Sequence, residues 1–237
     1  MIAGIRVKVC GITRPADALA AVEAGADYIG LIFAAGSPRR VTPAQAAEIR
    51  AALPAGVRAV GVFVNAAFEE IAESATRCRL DLIQLHGDEA PAVAERLGPE
   101  RVWKAVHLHD LNDIEAAAAY PAAALLVDSR TATARGGTGR TVNWDLAAAL
   151  AQRRLVVLAG GLGPENVAAA VRRVHPFALD VNSGVESAPG RKDPARLAAL
   201  AKALRSPQAA AADLATDPTD PSDPSDQSEH PHTGNTP

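Results

Sequence analysis

Cysteine is nearly absent from this sequence: Cys10 and Cys78 are the only two among 237 residues. Two thiols provide neither a disulfide framework nor a zinc-ligand spacing, and they fit a reducing, cytoplasmic compartment. Aromatic residues are scarce as well, at 3%. A core drawn from the 48% of residues that are hydrophobic must therefore be packed with alanine, valine and leucine. Long apolar runs are missing. The longest, such as "PAAALLV", fall far short of the roughly 20 residues that cross a bilayer. The first residues contain no basic segment followed by an apolar one, so neither a secretory signal nor membrane association is expected.

A strong excess of one charge is also lacking, the net value being −3. Six of the 27 acidic residues lie in 206–237, which holds no Lys or Arg, leaving 24 basic against 21 acidic side chains elsewhere. That mildly positive remainder suits a small anionic substrate. It is not the dense basic stripe of a nucleic-acid binder. The segment 206–237, with "DPTDPSDPSDQSEHPHTGNTP", is low in complexity, rich in Pro, Asp and Ser, and without apolar periodicity. It buries too little to offset its ordering entropy and is expected to be disordered. His230 and His232 within it have no supporting ligands, and no metal site is expected.

Residues 1–205 repeat one pattern: a short aliphatic run, a glycine or polar loop, then an alanine-rich amphipathic segment. The strand candidates are "IRVKVC", "DYIGLIF", "VRAVGVFV", "LDLIQLH", "RVWKAV", "AALLVD", "RLVVLAG" and "FALDVN". Helices are expected near 14–24, 43–53, 66–77, 89–97, 110–119, 143–153, 164–174 and 193–204, with start signals such as "TPAQAAE" and "GPENVAAAV". Continuous apolar strands alternating with helices imply a parallel sheet covered by helices. An open doubly wound sheet could hold eight such units, but length and regularity favour a single closed (β/α)8 barrel of the TIM class.

In that fold chemistry sits at the C-terminal ends of the strands. Reading off those ends gives Cys10 after strand one and Arg39 in "SPRR" after strand two. Gln84 and His86 in "QLHGDE" close strand four, and Asp128 in "LLVDS" closes strand six. The loop "GGTGR", with Gly137, follows it. Gly160 and Gly161 in "AGGL" close strand seven, and Ser183 and Gly184 in "DVNSGVE" close strand eight. Glycine-bearing loops after the last two strands, with a short helix N-terminus, form the recurrent phosphate site of this fold.

Cys10 and Asp128 belong to distant strands and would face each other across the barrel mouth, as a base and an acid working on opposite sides of a substrate do. The thiol would need its pKa lowered to act near neutrality, and the carboxyl would need the opposite shift. Lys8 stands two residues before Cys10 on the same face of its strand, so it is expected inside the barrel, near Asp180 of strand eight. Position alone leaves other roles open: a packing thiol for Cys10, a loop cap for Asp128, loop ties for Gln84 and His86. Arg39 presents a planar fork suited to a carboxylate. Cys78, at the start of strand four, is expected to be structural.

"KVCGIT", "AGADYIGLIF", "SPR", "VGVFVN", "IQLHGDE", "LLVDS", "GGTG", "AGGL" and "DVNSGVE…GRKD" occur in this order. Over residues 5 to about 204 the sequence thereby resembles the phosphoribosylanthranilate isomerase family of tryptophan biosynthesis. The resemblance implies an Amadori rearrangement with Cys10 as general base, Asp128 as general acid and Arg39 on the anthranilate carboxylate. Phosphate would be held at Gly160, Gly161, Ser183 and Gly184 near the "GGTG" loop. It implies a small phosphoribosyl substrate, no cofactor, and a barrel working as monomer or homodimer.

Two other phosphosugar barrels compete. An indole-glycerol-phosphate synthase would want a catalytic lysine at a strand end, where Lys104 fits poorly. A pentose-phosphate epimerase would want several metal-binding groups, whereas His86 is the only strand-end histidine. A silent, ligand-binding barrel sits uneasily with an acid and a base both in place.

Overall fold

The computed structural model describes residues 2–128 and 144–206. Its strands are β1 Arg6–Val9, β2 Tyr28–Ile32, β3 Arg58–Phe63, β4 Leu82–Leu85, β5 Val102–Val106, β6 Ala124–Asp128, β7 Val156–Ala159 and β8 Ala178–Val181. They pair in parallel, in chain order, and β8 returns to β1 to close the barrel. Helices α1 Pro15–Glu23, α2 Pro43–Ala52, α3 Phe68–Arg77, α4 Pro91–Leu97, α5 Leu111–Ala119, α6 Trp144–Ala151, α7 Val167–Val174 and α8 Pro194–Leu204 alternate with the strands. Gly137 and the "GGTGR" loop lie outside the described residues, as does the tail beyond Ser206.

Local chemistry sets the helix starts. Thr42 and Gln45 form a reciprocal capping box ahead of Pro43, and Asp110 does the same with Asp113. Asp193 accepts from the amides of Ala195 and Arg196 at the start of α8. α7 begins later than expected from its proline. The Asn166 side chain accepts from Gly163 N and donates to Gly161 O, which ties the preceding residues into a turn.

Period-two alternation divides the core. Outward residues such as Val7, Val9, Ile83, Leu125, Val127, Leu158 and Leu179 pack against the helices. Inward residues Tyr28, Val60, Leu82, Trp103, Ala124, Leu126, Val157 and Ala178 fill the lower barrel. Two of the few aromatics meet there edge to face, the rings of Tyr28 and Trp103 lying 4.9 Å apart. Above this plug the inward positions turn polar: Lys8, Gln84 and Asp180 are all buried.

Cys78 caps the C-terminal end of α3; it is buried, with Sγ 3.4 Å from Pro43 O, which agrees with a structural role. Among the described residues no helix is long and apolar enough to cross a membrane. The segment after β8 departs from the expected pattern. After β8 the chain makes a single 3₁₀ turn, Ser183–Val185, and then an antiparallel hairpin, β9 Glu186–Ala188 and β10 Arg191–Lys192.

The plug is the main apolar filling of the barrel interior, so it should be sensitive to truncation. Leu126→Ala, at a fully buried position, is expected to cost about 2–5 kcal/mol by urea unfolding. A loss within the range of surface substitutions, about 0.5 kcal/mol, would contradict this packing.

Candidate active site

The polar inventory read from the strand ends converges on one cavity. It measures about 290 Å³ and is lined by Cys10, Arg39, Gln84, His86, Asp128, Gly160, Gly161, Asp180, Ser183 and Gly184. With Val62 of β3 also in its wall, residues from seven strands or their following loops meet at the C-terminal mouth.

Lys8 sits beneath Cys10, fully buried, with Nζ 2.7 Å from Asp180 Oδ2 and 2.8 Å from Gln84 Oε1. The register places Lys8 directly beside Asp180 on the neighbouring strand, as period two required. Gly30 on β2 makes room for the arrangement. A Cβ there would lie 2.8 Å from Cys10 Sγ and 3.0 Å from Lys8 Cε. Because Lys8 occupies the Gln84 amide oxygen, the amide nitrogen faces His86 Nδ1, at 2.7 Å. Nδ1 is then the acceptor, and a neutral His86 carries its proton on Nε2. Burial, followed by the nearby Lys8 charge, holds the His86 pKa below its ordinary value, which keeps the ring neutral.

Burial alone would favour a neutral Lys8, but Asp180 and Cys10 together outweigh it, and its pKa lies above the ordinary value. The same cation is a candidate for lowering the Cys10 pKa, and it does act in that direction, but it is outweighed. Burial pushes the thiol up, Lys8 takes back only part of the rise, and the net shift is upward. Burial was not visible in the sequence.

The two candidate phosphate loops differ in construction. Gly160 and Gly161 both have positive φ, +89° and +63°, a conformation open to glycine and costly for most other residues. Gly184 is required by proximity, since a Cβ there would fall 2.0 Å from Leu162 O. The backbone after β8 thus presses directly on the loop after β7.

Arg39 reaches the cavity, but one edge of its fork is already engaged. Nε lies 2.9 Å from Glu186 Oε1, and Nη2 lies 2.6 Å from Glu186 Oε2. Lys192 Nζ also binds Glu186, at 2.9 Å. Burial raises the Glu186 pKa, yet hydrogen bonds from Arg39 and Lys192 outweigh this and hold it below the ordinary carboxylate value. The sequence reading gave Glu186 and Lys192 no role. The signal available was "APG", a proline-glycine turn flanked by an acid and a lysine.

A second unforeseen brace stands behind His86. Glu89 accepts from Asn65 N and Gly87 N, while Lys104 Nζ reaches Glu89 Oε2 at 3.1 Å. Lys104 thus serves to tie the loops after β3 and β4 together.

The raised thiol pKa predicts how the free protein reacts. In a Cys78→Ser background, alkylation of Cys10 by iodoacetamide should be slow at neutrality and still climbing above about pH 8.5, the ordinary thiol value. Lys8→Met removes the contribution that lowers this pKa, so its curve should move to still higher pH. An unmoved curve would contradict the coupling between Lys8 and Cys10.

Comparison with known proteins identifies the family. The family model described as "N-(5'phosphoribosyl)anthranilate (PRA) isomerase" matches residues 7–203. The N-(5'-phosphoribosyl)anthranilate isomerase of Geobacter sulfurreducens is 52% identical over 193 residues, covering 81% of this chain and 95% of that protein. Its counterpart in Pelobacter propionicus is 49% identical over 193 residues, covering 81% and 92%. Among solved structures, the phosphoribosyl anthranilate isomerase of Thermotoga maritima superposes with a TM-score of 0.77 at 42% identity, covering 85% of this chain and 98% of that one. Another, in complex with reduced 1-(o-carboxyphenylamino)-1-deoxyribulose 5-phosphate, gives 0.75 at 39% identity, with coverage of 85% and 98%. The chain belongs to the N-(5'-phosphoribosyl)anthranilate isomerase family.

Proposed function

We propose that this chain rearranges N-(5-phosphoribosyl)anthranilate to 1-(2-carboxyphenylamino)-1-deoxyribulose 5-phosphate, with Cys10 as base and Asp128 as acid. The reaction is the isomerase step of its family in tryptophan biosynthesis. One observation carries the assignment of roles: Cys10 just after β1 and Asp128 at the end of β6 line a single cavity with two glycine-backed loops and an arginine. Lys104, the residue a synthase reading would need, is directed to Gly87 and Glu89 instead.

The chemistry follows from the two groups. Asp128 gives its proton to the furanose ring oxygen as the C1′–O bond breaks, and the anilino nitrogen lone pair forms the C1′=N bond. The Cys10 thiolate then takes the C2′ proton. The electrons of that C–H bond form C1′=C2′, and the C=N pair returns to nitrogen. The resulting enolamine loses its hydroxyl proton and gains one at C1′, giving the ketone.

Lys8 offsets the cost of placing negative charge on a buried sulfur, and a neutral His86 adds a hydrogen-bond donor at the wall. Phosphate on the Gly160–Gly161 and Ser183–Gly184 backbone, together with the carboxylate on Arg39, fixes both ends of the substrate. The reacting carbons are then held between acid and base, a proximity effect. The two buried, unbridged cysteines fit the cytoplasm as the compartment.

The fall in substrate fluorescence on conversion gives the assay. Cys10→Ser and Asp128→Asn should each lower kcat by about 10²–10⁴-fold in protein that unfolds like the wild type. Near-wild-type turnover in either variant would remove that residue from the mechanism. Arg39→Ala should act mainly on KM, and an unchanged KM would count against its carboxylate role.

A further inference from the structure

We propose that the β9–β10 hairpin is part of the carboxylate site, with Glu186 and Lys192 acting as positioning residues that hold one edge of the Arg39 guanidinium and leave the other for the substrate. This rests on the reading of Arg39 given above.

A guanidinium carries five N–H donors arranged in a plane. Glu186 takes the side formed by Nε and Nη2, accepting at 2.9 Å and 2.6 Å. Nη1 donates to no described residue, so the edge shared by Nη1 and the second N–H of Nη2 can receive another carboxylate bidentately. An arginine on a flexible stem would lose rotamer freedom on binding. One clamped by a buried carboxylate has already lost it.

The clamp is anchored on every side. Glu186 Oε1 accepts from Gly190 N at 3.2 Å as well as from Lys192 Nζ. Lys192 Nζ also donates to Asn182 O and Oδ1, and the Lys192 amide donates to Asp17, which Arg14 grips through two bonds. At the hairpin turn, Gly190 O accepts from Thr13 Oγ1 at 2.7 Å. Gly11, with φ +71°, clears a path for the arginine: a Cβ there would stand 2.6 Å from Arg39 Cδ. Loops after β1 and β8 thus cooperate to seat one side chain.

Charge makes the second argument. Arg39 and Lys192 bring two cations against one carboxylate, so the cluster has one positive charge in excess. A bound carboxylate would complete the balance.

Two ligands read this directly by calorimetry: the reduced product 1-(o-carboxyphenylamino)-1-deoxyribulose 5-phosphate, and the same compound without its carboxylate. Glu186→Gln should weaken the first by about 10- to 100-fold, the worth of one or two charge-assisted hydrogen bonds, and leave the second unchanged. In an Arg39→Ala background the same change should add almost nothing, because Glu186 acts through Arg39.

Equal weakening of both ligands, unchanged or tighter binding of the first, or full additivity with Arg39→Ala would overturn the proposal. Should Glu186→Gln fail to fold, Arg39→Lys serves instead. An ammonium held by Glu186 has no second planar edge, so selectivity for the carboxylate should be lost, and its retention would overturn the proposal. A wild type that binds both ligands equally would defeat the carboxylate reading of Arg39 itself, a result distinct from the others.

Discussion

The ion pair between Lys8 and Asp180, 2.7 Å apart inside the barrel, is the constraint on which the site depends. Desolvating two such ions costs several kcal/mol each, and their attraction offsets this only with good geometry and further hydrogen bonds. Here the register supplies the geometry, and Gln84 supplies one further bond. Oδ1 of Asp180 has no hydrogen-bond partner among the described residues. A pair of this kind is a poor source of stability. What it does is mark the level at which the interior stops being apolar, and so where the cavity floor lies.

Everything at the mouth is arranged relative to that floor. Cys10 stands one inward position above Lys8, and Gly30 leaves space for both side chains. His86 is linked to the pair through Gln84, which fixes its tautomer. Farther out, the glycine-backed loops press together at Gly184 and Leu162, and Arg39 is seated by the hairpin. In the function we propose, phosphate on these loops and carboxylate on Arg39 leave the uncharged middle of the substrate over the sulfur and the Asp128 carboxyl. That proposal gives a physical division of labour: ends held by charge, and the centre acted on by proton transfer.

Much of this was legible in the sequence, for identifiable reasons. Period-two alternation placed Lys8, Cys10, Gln84 and His86 on the inner face, because each strand's inward set is fixed once one member is known. Glycines after the last two strands, Gly160 and Gly161 in one loop and Gly184 in the other, marked the candidate phosphate loops. The hairpin escaped notice because "ESAPGRKD" is too short and too polar to show periodicity, so Glu186 and Lys192 went unassigned. The late start of α7 depends on one asparagine side chain bonding backward, which competes with helix formation and leaves no mark in propensity. The direction of the Cys10 shift turned on burial outweighing a neighbouring charge, a comparison only coordinates allow.

The central claim is geometric: the sulfur of Cys10 and the carboxyl of Asp128 address opposite sides of the same sugar skeleton, whose phosphate and benzoate ends are gripped at separate flanks. A crystal structure of this chain with the reduced product bound tests it most directly. The account predicts Sγ at near-attack distance, about 3–3.5 Å, from C2′, with Asp128 on the other side, phosphate at Gly160–Gly161 and Ser183–Gly184, and carboxylate on Arg39. A ligand bound end for end, or one with both groups on the same side of the carbon chain, would contradict it.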